Sequence, residues 1–393
     1  MQIYRVGGSV RDELLGLPVA DRDYVVVGAT PQAMRANGFR PVGRDFPVFL
    51  HPQTNEEYAL ARTERKTGRG HRGFSFHAAP EVTLEEDLAR RDLTINAMAR
   101  GDDGTLIDPF GGERDLRAGV LRHVGPAFTE DPLRVLRVAR FAARFGFRVA
   151  PETGALMRAI AAKGELETLS AERIWQELAK ALMEARPSRF FVILRRCGAL
   201  GQLLPELDAL FHASARRRAG SPSLRAIDAA AAAGEVLAVR YAVLAGNLAR
   251  TPRSRERLAA SFSRRVNAPT ECRELAALGA RLREPVGRAI ALAPAALLDL
   301  LLAVDALRRP ERLTGLLSAC AVWHRAERGL RLTTYPPATR LSEALRVIRE
   351  VKVAPRAAGD RGGRDVARQI RSARLKALRD WLKARKRRAP RGS

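Results

Sequence analysis

Cysteine is scarce in this sequence, and long apolar runs are missing from it. Cys197, Cys272 and Cys320 stand far apart among 393 residues, and their spacing predicts neither a disulfide framework nor a zinc site. Such sparse cysteines favour a protein of the reducing cytoplasm. The most apolar window, residues 289–306, is interrupted by Pro294 and two aspartates, so it predicts a buried helix rather than a membrane span. No basic segment followed by a long apolar core opens the chain, so we expect no signal peptide.

Acidic side chains are also few relative to basic ones. The sequence has 43 Asp and Glu against 69 Lys and Arg, a formal net charge of +26. This excess favours a polyanionic partner, nucleic acid first, over the alternative of a proteome that simply uses arginine freely. The excess is uneven, because residues 351–393 contain fifteen basic and three acidic side chains. That segment predicts sequence-independent phosphate contacts, with a solvated tail as the alternative.

The apolar pattern divides the chain into a mixed part and a helical part. Up to about residue 125, strand-length apolar runs alternate with helical pieces and Gly/Pro turns, which is typical of an α+β fold. These runs are Gln2–Val6, Tyr24–Val27, Val48–Leu50 and Tyr58–Ala61. Residues 108–112, with one proline and two glycines, predict a turn or hinge. Beyond it, apolar residues recur three and four apart, and the helix expected after Ser170 carries an apolar stripe for packing rather than chemistry.

The strongest local signal is the run Val6-Gly7-Gly8-Ser9-Val10-Arg11-Asp12, followed by Asp21-Arg22-Asp23 before the next apolar run. Two glycines between a strand and a helix leave backbone N–H groups that can face a phosphate, and Arg11 can assist. On a strand, Asp21 and Asp23 share a face, and carboxylates so close favour a hard cation such as Mg²⁺ between them. Taken separately, the Gly-Gly pair and the Asp-x-Asp triplet each also fit an ordinary turn. Glu57 is either a third carboxylate or a solvated strand residue.

Two further stretches carry charged side chains that suit a nucleotide. If residues 90–98 form a helix, Asp92 and Asn96 share a face with Arg91 beside them. An acceptor and an amide can hold vicinal hydroxyls and an arginine a phosphate, although an amphipathic helix with an ion pair fits equally well. Residues 61–79 place five basic side chains among three glycines and predict a mobile basic loop that orders over a charged ligand.

The stretch from Thr129 to Arg140 reads as a helix start with Thr129 as N-cap, followed by arginines at three-residue intervals, Arg134, Arg137 and Arg140. Asp131 and Arg134 are neighbours on such a helix. An acceptor beside a forked donor matches the Watson–Crick edge of cytosine and equally that of adenine. Helix capping alone is the alternative explanation for the acidic residues.

Taken together, these motifs resemble the bacterial class II tRNA nucleotidyltransferases, the CCA-adding enzymes of the DNA polymerase β-like superfamily. The likeness is close over residues 1–210, including residues 44–49 and the loop at 62–73, and looser beyond. It implies an α+β N-terminal nucleotidyltransferase head at 1–125, followed by an all-α neck at 126–210, body at 211–330 and basic tail at 331–393, in a seahorse-like shape.

The resemblance also implies roles. CTP, ATP and the acceptor stem and 3′ end of tRNA would be the substrates, and the loop would help change selection from CTP to ATP. A poly(A) polymerase on the same scaffold and a non-catalytic RNA-binding protein are the alternatives. By carry-over from the family, Asp21 and Asp23 would bind Mg²⁺, and the triphosphate would be bound by Gly8, Arg11 and Arg91. The ribose would be bound by Asp92 and Asn96. The base would be bound by Asp131 and Arg134, and Arg137 and Arg140 would complete the nucleotide pocket.

One region departs from the family pattern. Close relatives often carry a phosphohydrolase domain with a His-Asp metal motif where this chain reads Leu237–Arg250. The dipeptide position here is Gly246-Asn247, and after His123 only His212 and His324 remain. We therefore predict no phosphatase or cyclic phosphodiesterase activity.

Overall fold

The computed structural model describes residues 1–19, 21–42, 48–66, 74–77, 79–214, 222–249, 251–329, 334–352 and 363–388. Residues 44–47 and 67–73, on which two of the expected motifs fall, lie outside this set. The chain divides into two compact units, Met1–Asp208 and Ala209–Ser393. The finer domain bounds given above remain predictions.

The first unit contains all the described strands. They are β1 Gln2–Val6, β2 Asp23–Val27, β3 Arg40–Val42, β4 Val48–Leu50, β5 Glu57–Leu60, β6 Thr63–Lys66, β7 Phe74–His77, β8 Ala99–Arg100, β9 Leu106–Ile107, β10 Val120–Leu121 and β11 Arg148–Val149. Seven of them form a sheet in the order β3-β4-β5-β2-β1-β8-β9, in which only β2 and β5 run parallel. The four expected strands are confirmed, each within one residue of its predicted bounds.

Both faces of this sheet are covered, which explains the unbroken apolar run in β2. Val25 packs in one core with Val6 and Leu88, whereas Val26 packs in the other with Met34 and neighbouring aromatic rings. Successive strand residues point to opposite faces, so a strand buried on both sides needs no polar alternation. The central position of β2 fixes the carboxylate at its first residue, Asp23.

Helices make up most of the rest of the first unit, together with 3₁₀ turns at Thr94–Asn96, Pro126–Glu130 and Glu165–Thr168. The helices are α1 Gly8–Leu14, α2 Pro31–Ala36, α3 Leu84–Ala89, α4 Gly112–Arg117, α5 Leu133–Phe145, α6 Pro151–Ala162, α7 Ala171–Met183, α8 Ser188–Arg196 and α9 Ala199–Leu203. A further helix, α10 Pro205–Ser214, spans the boundary between the two units. The predicted turn at 108–112 is present, and the Asp108 carboxylate accepts the backbone N–H groups of Gly112 and Glu113, at 2.7 and 2.9 Å, to begin α4.

The described part of the second unit is helical. Its helices are α11 Pro222–Ala232, α12 Leu237–Ala245, α13 Pro252–Arg265, α14 Thr270–Gly287, α15 Pro294–Ala303, α16 Pro310–Arg328, α17 Pro336–Arg349 and α18 Gly363–Arg388. Pro294 begins α15 instead of interrupting a longer helix, because proline is tolerated at the first helical position. None of the helices in the described ranges combines the length and apolarity that a membrane crossing requires. The chain therefore has an α+β N-terminal part and a helical remainder, as expected.

Two local predictions were wrong. Residues 90–98 do not form one helix, because α3 ends at Ala89 and a 3₁₀ turn at 94–96 leads directly into β8. Thr129 is not the N-cap of α5 either. It lies in the 3₁₀ turn Pro126–Glu130, where its hydroxyl donates to Pro126 O at 3.1 Å. The N-cap residue is Pro132, and Asp131 Oδ1 accepts the backbone N–H of Leu133, the first residue of α5, at 3.0 Å.

Candidate functional site

A cavity of about 600 Å³ in the first unit gathers the candidate residues. All nine candidate nucleotide-binding residues line it, together with Asp23. They are Gly8, Arg11, Arg91, Asp92, Asn96, Asp131, Arg134, Arg137 and Arg140. The lining also includes residues that the sequence analysis did not select, namely Gly7, Arg62, Arg90, Leu133, Phe141, Arg144 and Arg173. Nine arginines against three aspartates give the cavity a strongly positive field that suits a polyanionic ligand.

The glycine turn between β1 and α1 forms one wall of the cavity. Gly7 has a φ of 70°, and its backbone N–H donates to Met98 O at 3.1 Å. A Cβ on Gly7 would lie 2.8 Å from Nη1 of Arg91, so only glycine leaves room for that guanidinium. α1 begins at Gly8, and the first N–H groups of a helix have no partner within it. The turn therefore brings unpaired backbone donors and an arginine to the same place.

Arg11 is held rigidly although it is almost completely buried, with 4% of its surface exposed. Its Nε donates to Asp12 Oδ1 at 2.9 Å, and its Nη1 donates to Asn96 Oδ1. The guanidinium also lies over the rings of Phe141 and Phe145, 5.2 and 5.0 Å from their centroids. Burial lowers the pKa of Arg11, an effect that Asp12 opposes. The N–H donors that Asp12 and Asn96 do not engage belong to a fixed guanidinium in a dry setting, which suits a phosphate or carboxylate.

Asp92 links the turn at 94–96 to α5. Its Oδ1 accepts the amide of Asn96 at 2.9 Å, and its Oδ2 accepts Nε of Arg137 at 2.7 Å. Burial alone would raise the pKa of Asp92, but Arg137 and the Asn96 hydrogen bond outweigh burial and hold that pKa well below its usual value. Asp92 and Asn96 thus meet as predicted, although a 3₁₀ turn rather than an α-helix brings them together.

Arg91 owes its position to Asp87, a residue that the sequence analysis missed. The buried Asp87 carboxylate pairs with Arg91 at 3.1 Å and with Arg90 at 3.2 Å, and it also accepts the backbone N–H of Arg62 at 3.4 Å. Burial would raise the pKa of Asp87, but the two arginines lower it overall. The i, i+3 and i+4 spacings of these three residues were visible in the sequence and could have indicated the cluster.

Asp131 and Arg134 both face the cavity, and each is held by other groups. Asp131 Oδ2 accepts Nη2 of Arg173 at 2.9 Å. Arg134 donates to the carbonyl oxygens of Ala127 and Arg90, at 2.8 and 2.5 Å. The expected packing stripe of α7, residues Ile174, Leu178 and Leu182, is buried as predicted. The assignment of α7 to packing alone was nevertheless incomplete, because Arg173 and Glu177 on the same helix serve the cavity, Glu177 by pairing with Arg140 at 2.6 Å.

Asp23 stands where this cavity meets a second one of about 700 Å³ that Asp21, Asp23, Glu56 and Glu57 line. The register pairs Asp23 with Val6, so the carboxylate lies beside the glycine turn. Asp21 precedes β2 rather than belonging to it. Burial raises the pKa of Asp23, the nearby Arg91 opposes this, and Asp21 raises it further.

The two aspartates fit a divalent cation. Two carboxylates that repel one another, next to a phosphate-sized basic cavity, match the way Mg²⁺ is commonly bound, through one or two carboxylates, substrate phosphates and water. Glu57 pairs with Asp23 in register across β2 and β5. However, no group of three or more His, Cys, Asp or Glu side chains in the described ranges is arranged to hold a metal ion. Glu57 lines the same cavity as Asp21 and Asp23.

The body region of the second unit contains a tightly packed cluster at Gly246 and Asn247. A Cβ on Gly246 would lie 3.0 Å from the ring of Trp323 and 2.7 Å from Ala242 O. Asn247 Oδ1 accepts Nη1 of Arg283 at 2.7 Å, and the Arg283 guanidinium lies 4.8 Å from the Trp323 ring centroid. An aromatic ring and a cation thus occupy the surroundings of this dipeptide.

The basic tail presents a further cavity of about 640 Å³ in the second unit, between residues 290–294, α17 and α18. Four of its lining side chains are cationic: Arg340, Arg379, Lys383 and Arg385. Arg340 also lies over the ring of Trp381, 4.8 Å from its centroid. Cations beside an exposed groove suit phosphate groups of a nucleic acid.

Two family models and several sequence relatives match this chain. Residues 3–122 match the family model described as the poly A polymerase head domain, and residues 146–211 match the one described as a probable RNA and SrmB-binding site of polymerase A. The multifunctional CCA protein of Chromobacterium violaceum is 53% identical over 91% of this chain and 93% of its own length. That of Nitrosomonas europaea is 54% identical over 89% of this chain and 90% of its own length.

Solved structures agree in fold. The Bacillus stearothermophilus CCA-adding enzyme in complex with CTP superimposes with a TM-score of 0.68 at 24% identity, covering 98% of this chain and 94% of that one. The Thermotoga maritima CCA-adding enzyme complexed with tRNA superimposes with a TM-score of 0.59 at 23% identity, covering 98% and 91%. At these identities the structures establish the fold, and the sequence relatives establish the family.

Proposed function

The chain belongs to the family of multifunctional CCA proteins, which are tRNA nucleotidyltransferases, and from this premise we propose how its own residues carry out the reaction. The protein adds C, C and A to the 3′ end of tRNA from CTP and ATP, with release of pyrophosphate and without a nucleic-acid template. The observation that supports the site assignment best is that all nine candidate nucleotide residues and Asp23 line one cavity.

Asp21 and Asp23 are proposed to hold the metal. Nucleotidyltransferases of this kind use divalent metal ions, and the pair of repelling carboxylates beside a phosphate cavity favours Mg²⁺. When bound, two Mg²⁺ ions would supply Lewis-acid activation of the tRNA 3′-hydroxyl and neutralise charge on the departing pyrophosphate. The remaining catalysis is positioning and charge neutralisation by the chain itself.

The triphosphate is assigned to the glycine turn with Arg11 and Arg91. Arg11 is fixed by Asp12, and Arg91 by Asp87, so both guanidiniums are oriented before the ligand arrives. Pre-orientation lowers the entropy lost on binding. The ribose is assigned to Asp92 and Asn96, whose mutual hydrogen bond of 2.9 Å leaves further acceptor and donor capacity for hydroxyl groups.

The base is assigned to Asp131 and Arg134, with Arg137 and Arg140 completing the pocket. An acceptor would take the exocyclic amino group of cytosine or adenine, and the guanidinium would donate to the adjacent ring nitrogen. Arg137 and Arg140 are themselves fixed by Asp92 and Glu177, at 2.7 and 2.6 Å. The protein thereby supplies the pairing edge that a template strand would otherwise provide.

The tRNA partner is proposed to contact the basic tail through its phosphates, and its acceptor stem and 3′ end are the part on which the protein acts. The four cations around the tail cavity support phosphate contacts there. The loop at residues 62–73 is proposed to assist the change from CTP to ATP, and its central residues 67–73 fall outside the described part of the chain.

A single incubation tests the function. The full-length protein is supplied with tRNA lacking its 3′ CCA, together with CTP alone, ATP alone, or both, and the products are resolved to one nucleotide. We expect two additions with CTP, none with ATP alone, and three with both. Extension by ATP alone without a length limit would instead identify a poly(A) polymerase. That alternative is kept because residues 3–122 match the poly A polymerase head domain. Binding without extension would identify a non-catalytic RNA-binding protein.

The body region is proposed to lack phosphohydrolase activity. The relatives are named multifunctional, and residues 246–247 of this chain depart from the His-Asp motif that the resemblance implies. Its support is the packing of Trp323 against Gly246 and the engagement of Asn247 by Arg283, because a cation beside the dipeptide disfavours a bound metal ion. The test is incubation of the full-length protein with 2′,3′-cyclic AMP and added Ni²⁺ or Mg²⁺. We expect no hydrolysis, and turnover above the enzyme-free blank would contradict the proposal.

The protein is also proposed to work in the cytoplasm. All three cysteines are unpaired and buried, which suits a reducing compartment.

A further inference from the structure

Arg173 reaches the cavity from a fixed position at the start of α7. The helix begins after Ser170, whose hydroxyl accepts the backbone N–H of Arg173 at 3.3 Å, and the stripe from Ile174 to Leu182 anchors the helix in the core. From there the Arg173 side chain extends to Asp131, and its Nη2 donates to Asp131 Oδ2 at 2.9 Å. The pair joins the start of α7 to the start of α5 across 42 residues of sequence.

Asp131 is consequently held at both oxygens. Its Oδ1 accepts the backbone N–H of Leu133 at 3.0 Å, while Oδ2 accepts Arg173. Two donors on different oxygens leave the carboxylate little freedom to rotate about its Cβ–Cγ bond. The carboxylate then presents its remaining lone pairs in one direction, and it can only accept hydrogen bonds.

A fixed acceptor discriminates between bases by the group opposite it. Cytosine and adenine present an exocyclic amino group, which donates to a carboxylate. Uracil and guanine present a carbonyl oxygen at the corresponding position, which a carboxylate repels. A carboxylate that could turn away would tolerate either group, so rejection of the wrong base depends on what fixes its orientation.

We propose that Arg173 is a positioning residue that fixes the Asp131 carboxylate toward the base and thereby enforces selection of CTP and ATP over UTP and GTP. This inference rests on the proposed function, because it deepens the role assigned to Asp131. It concerns a residue on a helix that the sequence pattern assigned to packing.

The fold does not depend on this ion pair. The Arg173 and Asp131 side chains are 21% and 25% exposed at the cavity wall, and partly exposed pairs contribute little to stability. α5 and α7 are held together independently by the buried pair of Arg140 with Glu177 at 2.6 Å and by buried apolar side chains such as Leu178 and Leu136. Replacing Arg173 should therefore change selection and leave the fold intact.

The experiment compares the full-length wild-type protein with Arg173→Met, Arg173→Lys and the control Lys180→Met. Lys180 lies on the same helix, is exposed and is absent from the cavity lining, so its replacement removes the same charge without touching the site. Single-nucleotide incorporation is measured with CTP and with UTP on tRNA that lacks CCA, and with ATP and with GTP on tRNA that ends in CC. Thermal melting is recorded for every variant.

For Arg173→Met we expect the ratio of kcat/KM for CTP over UTP to fall about tenfold or more, with a parallel fall for ATP over GTP. Arg173→Lys should show a smaller fall, about threefold, because lysine keeps the charge but loses the planar fork. Lys180→Met should keep the wild-type ratios.

Other outcomes overturn the inference. If Arg173→Met slows CTP incorporation and leaves both ratios unchanged, its role is structural only. If Lys180→Met lowers the ratios as much as Arg173→Met does, the fall comes from the loss of a positive charge on α7 and not from the contact with Asp131. Should Arg173→Met fail to fold, Arg173→Lys decides, and wild-type ratios in that variant contradict the proposal. Failure of the wild-type protein to incorporate CTP at all would instead count against the proposed function.

Discussion

Nη2 of Arg144 lies 3.0 Å from Oδ2 of Asp12, and this ion pair joins α1 to the last turn of α5. The other oxygen of Asp12 accepts Nε of Arg11 at 2.9 Å. One carboxylate therefore fixes two arginines of the cavity, and it comes from the helix that begins at Gly8, a residue proposed to contact the triphosphate. The contact ties this helix to α5, which carries Arg134, a residue proposed to contact the base.

Replacing Asp12 with Ala should weaken nucleotide binding. Without the carboxylate, Arg11 and Arg144 repel each other and each lacks one hydrogen-bond partner, which costs about 1–3 kcal/mol of nucleotide-binding free energy. We expect kcat/KM for CTP to fall about tenfold. Glu13→Ala is the matched control, because Glu13 pairs with Arg5 and Arg100 and does not line the cavity. Steady-state kinetics decide, and equal effects of the two variants would contradict the bridge.

Asp21→Ala and Asp23→Ala should each abolish nucleotide incorporation and leave tRNA binding nearly intact. The two carboxylates are assigned to the metal, whereas tRNA affinity is assigned mainly to the basic tail. Incorporation is followed on tRNA lacking CCA, and tRNA binding is measured by filter retention. Glu85→Ala, which removes an exposed carboxylate from α3, serves as control. Substantial residual turnover in either aspartate variant would count against the metal assignment.

Gly7→Ala should impair triphosphate binding more than its backbone strain explains. Both Gly7 and Gly16 have positive φ, at 70° and 66°, where an alanine is strained, and the ψ of −128° at Gly7 lies outside the left-handed helical region. A Cβ at position 7 also meets Arg91 Nη1 at 2.8 Å, whereas a Cβ at position 16 meets nothing within 4 Å. We expect a larger loss of melting temperature for Gly7→Ala than for Gly16→Ala, with a raised KM for CTP only in Gly7→Ala. An unchanged KM would show that Arg91 is not needed there.

The Asp92 carboxylate should make stability depend on pH in the acid range. Its pKa in the folded protein is well below the unfolded value of about 3.9, so its contribution is complete above that value and is lost as the pH falls through the folded pKa. Asp92→Asn should therefore lower the melting temperature at pH 7, because it leaves the half-buried Arg137 without its counter-charge. The difference from wild type should shrink below about pH 4. Melting curves from pH 7 to pH 3 measure it, and a constant difference would refute the assignment.

The tail cations should contribute a salt-dependent share of tRNA affinity. Arg379→Ala combined with Lys383→Ala removes two side chains that line the tail cavity. The slope of log K against log salt should fall by about 1–2, since each phosphate contact contributes about 0.7–0.9. Arg253→Ala with Arg257→Ala removes two exposed cations of α13 and serves as control. Equal slopes for the two double variants would contradict a specific role for the tail cavity.

Much of the site could be predicted because local spacing and motif order carry it. The runs at 6–12 and 21–27 correctly gave a strand, a glycine turn and a second strand, since periodicity and glycine chemistry are local properties. Asp92 and Asn96 were expected on a helix and meet on a 3₁₀ turn instead. The two side chains still contact each other, because a 3₁₀ turn also brings residues four apart close together. The Asn96 amide donates to the Asp92 carboxylate there.

Three of the residues that were missed share one physical cause, whereas Asp87 was detectable from its spacing to Arg90 and Arg91. Asp12, Arg144 and Arg173 act through partners that are 42 to 132 residues away in the sequence. No local pattern encodes such a distance, because only packing of α1, α5 and α7 brings the partners together. Arg173 was further hidden by the regular apolar stripe of its helix, which explained α7 completely without it.

The contact of Gly246 with Trp323 bears on how the body region can evolve. Any side chain introduced at position 246 meets an indole ring at 3.0 Å and a carbonyl oxygen at 2.7 Å, so the tryptophan must be replaced before a bulkier residue is accepted. A histidine at position 246 would therefore need a compensating change in the same packed core, which a single substitution does not supply.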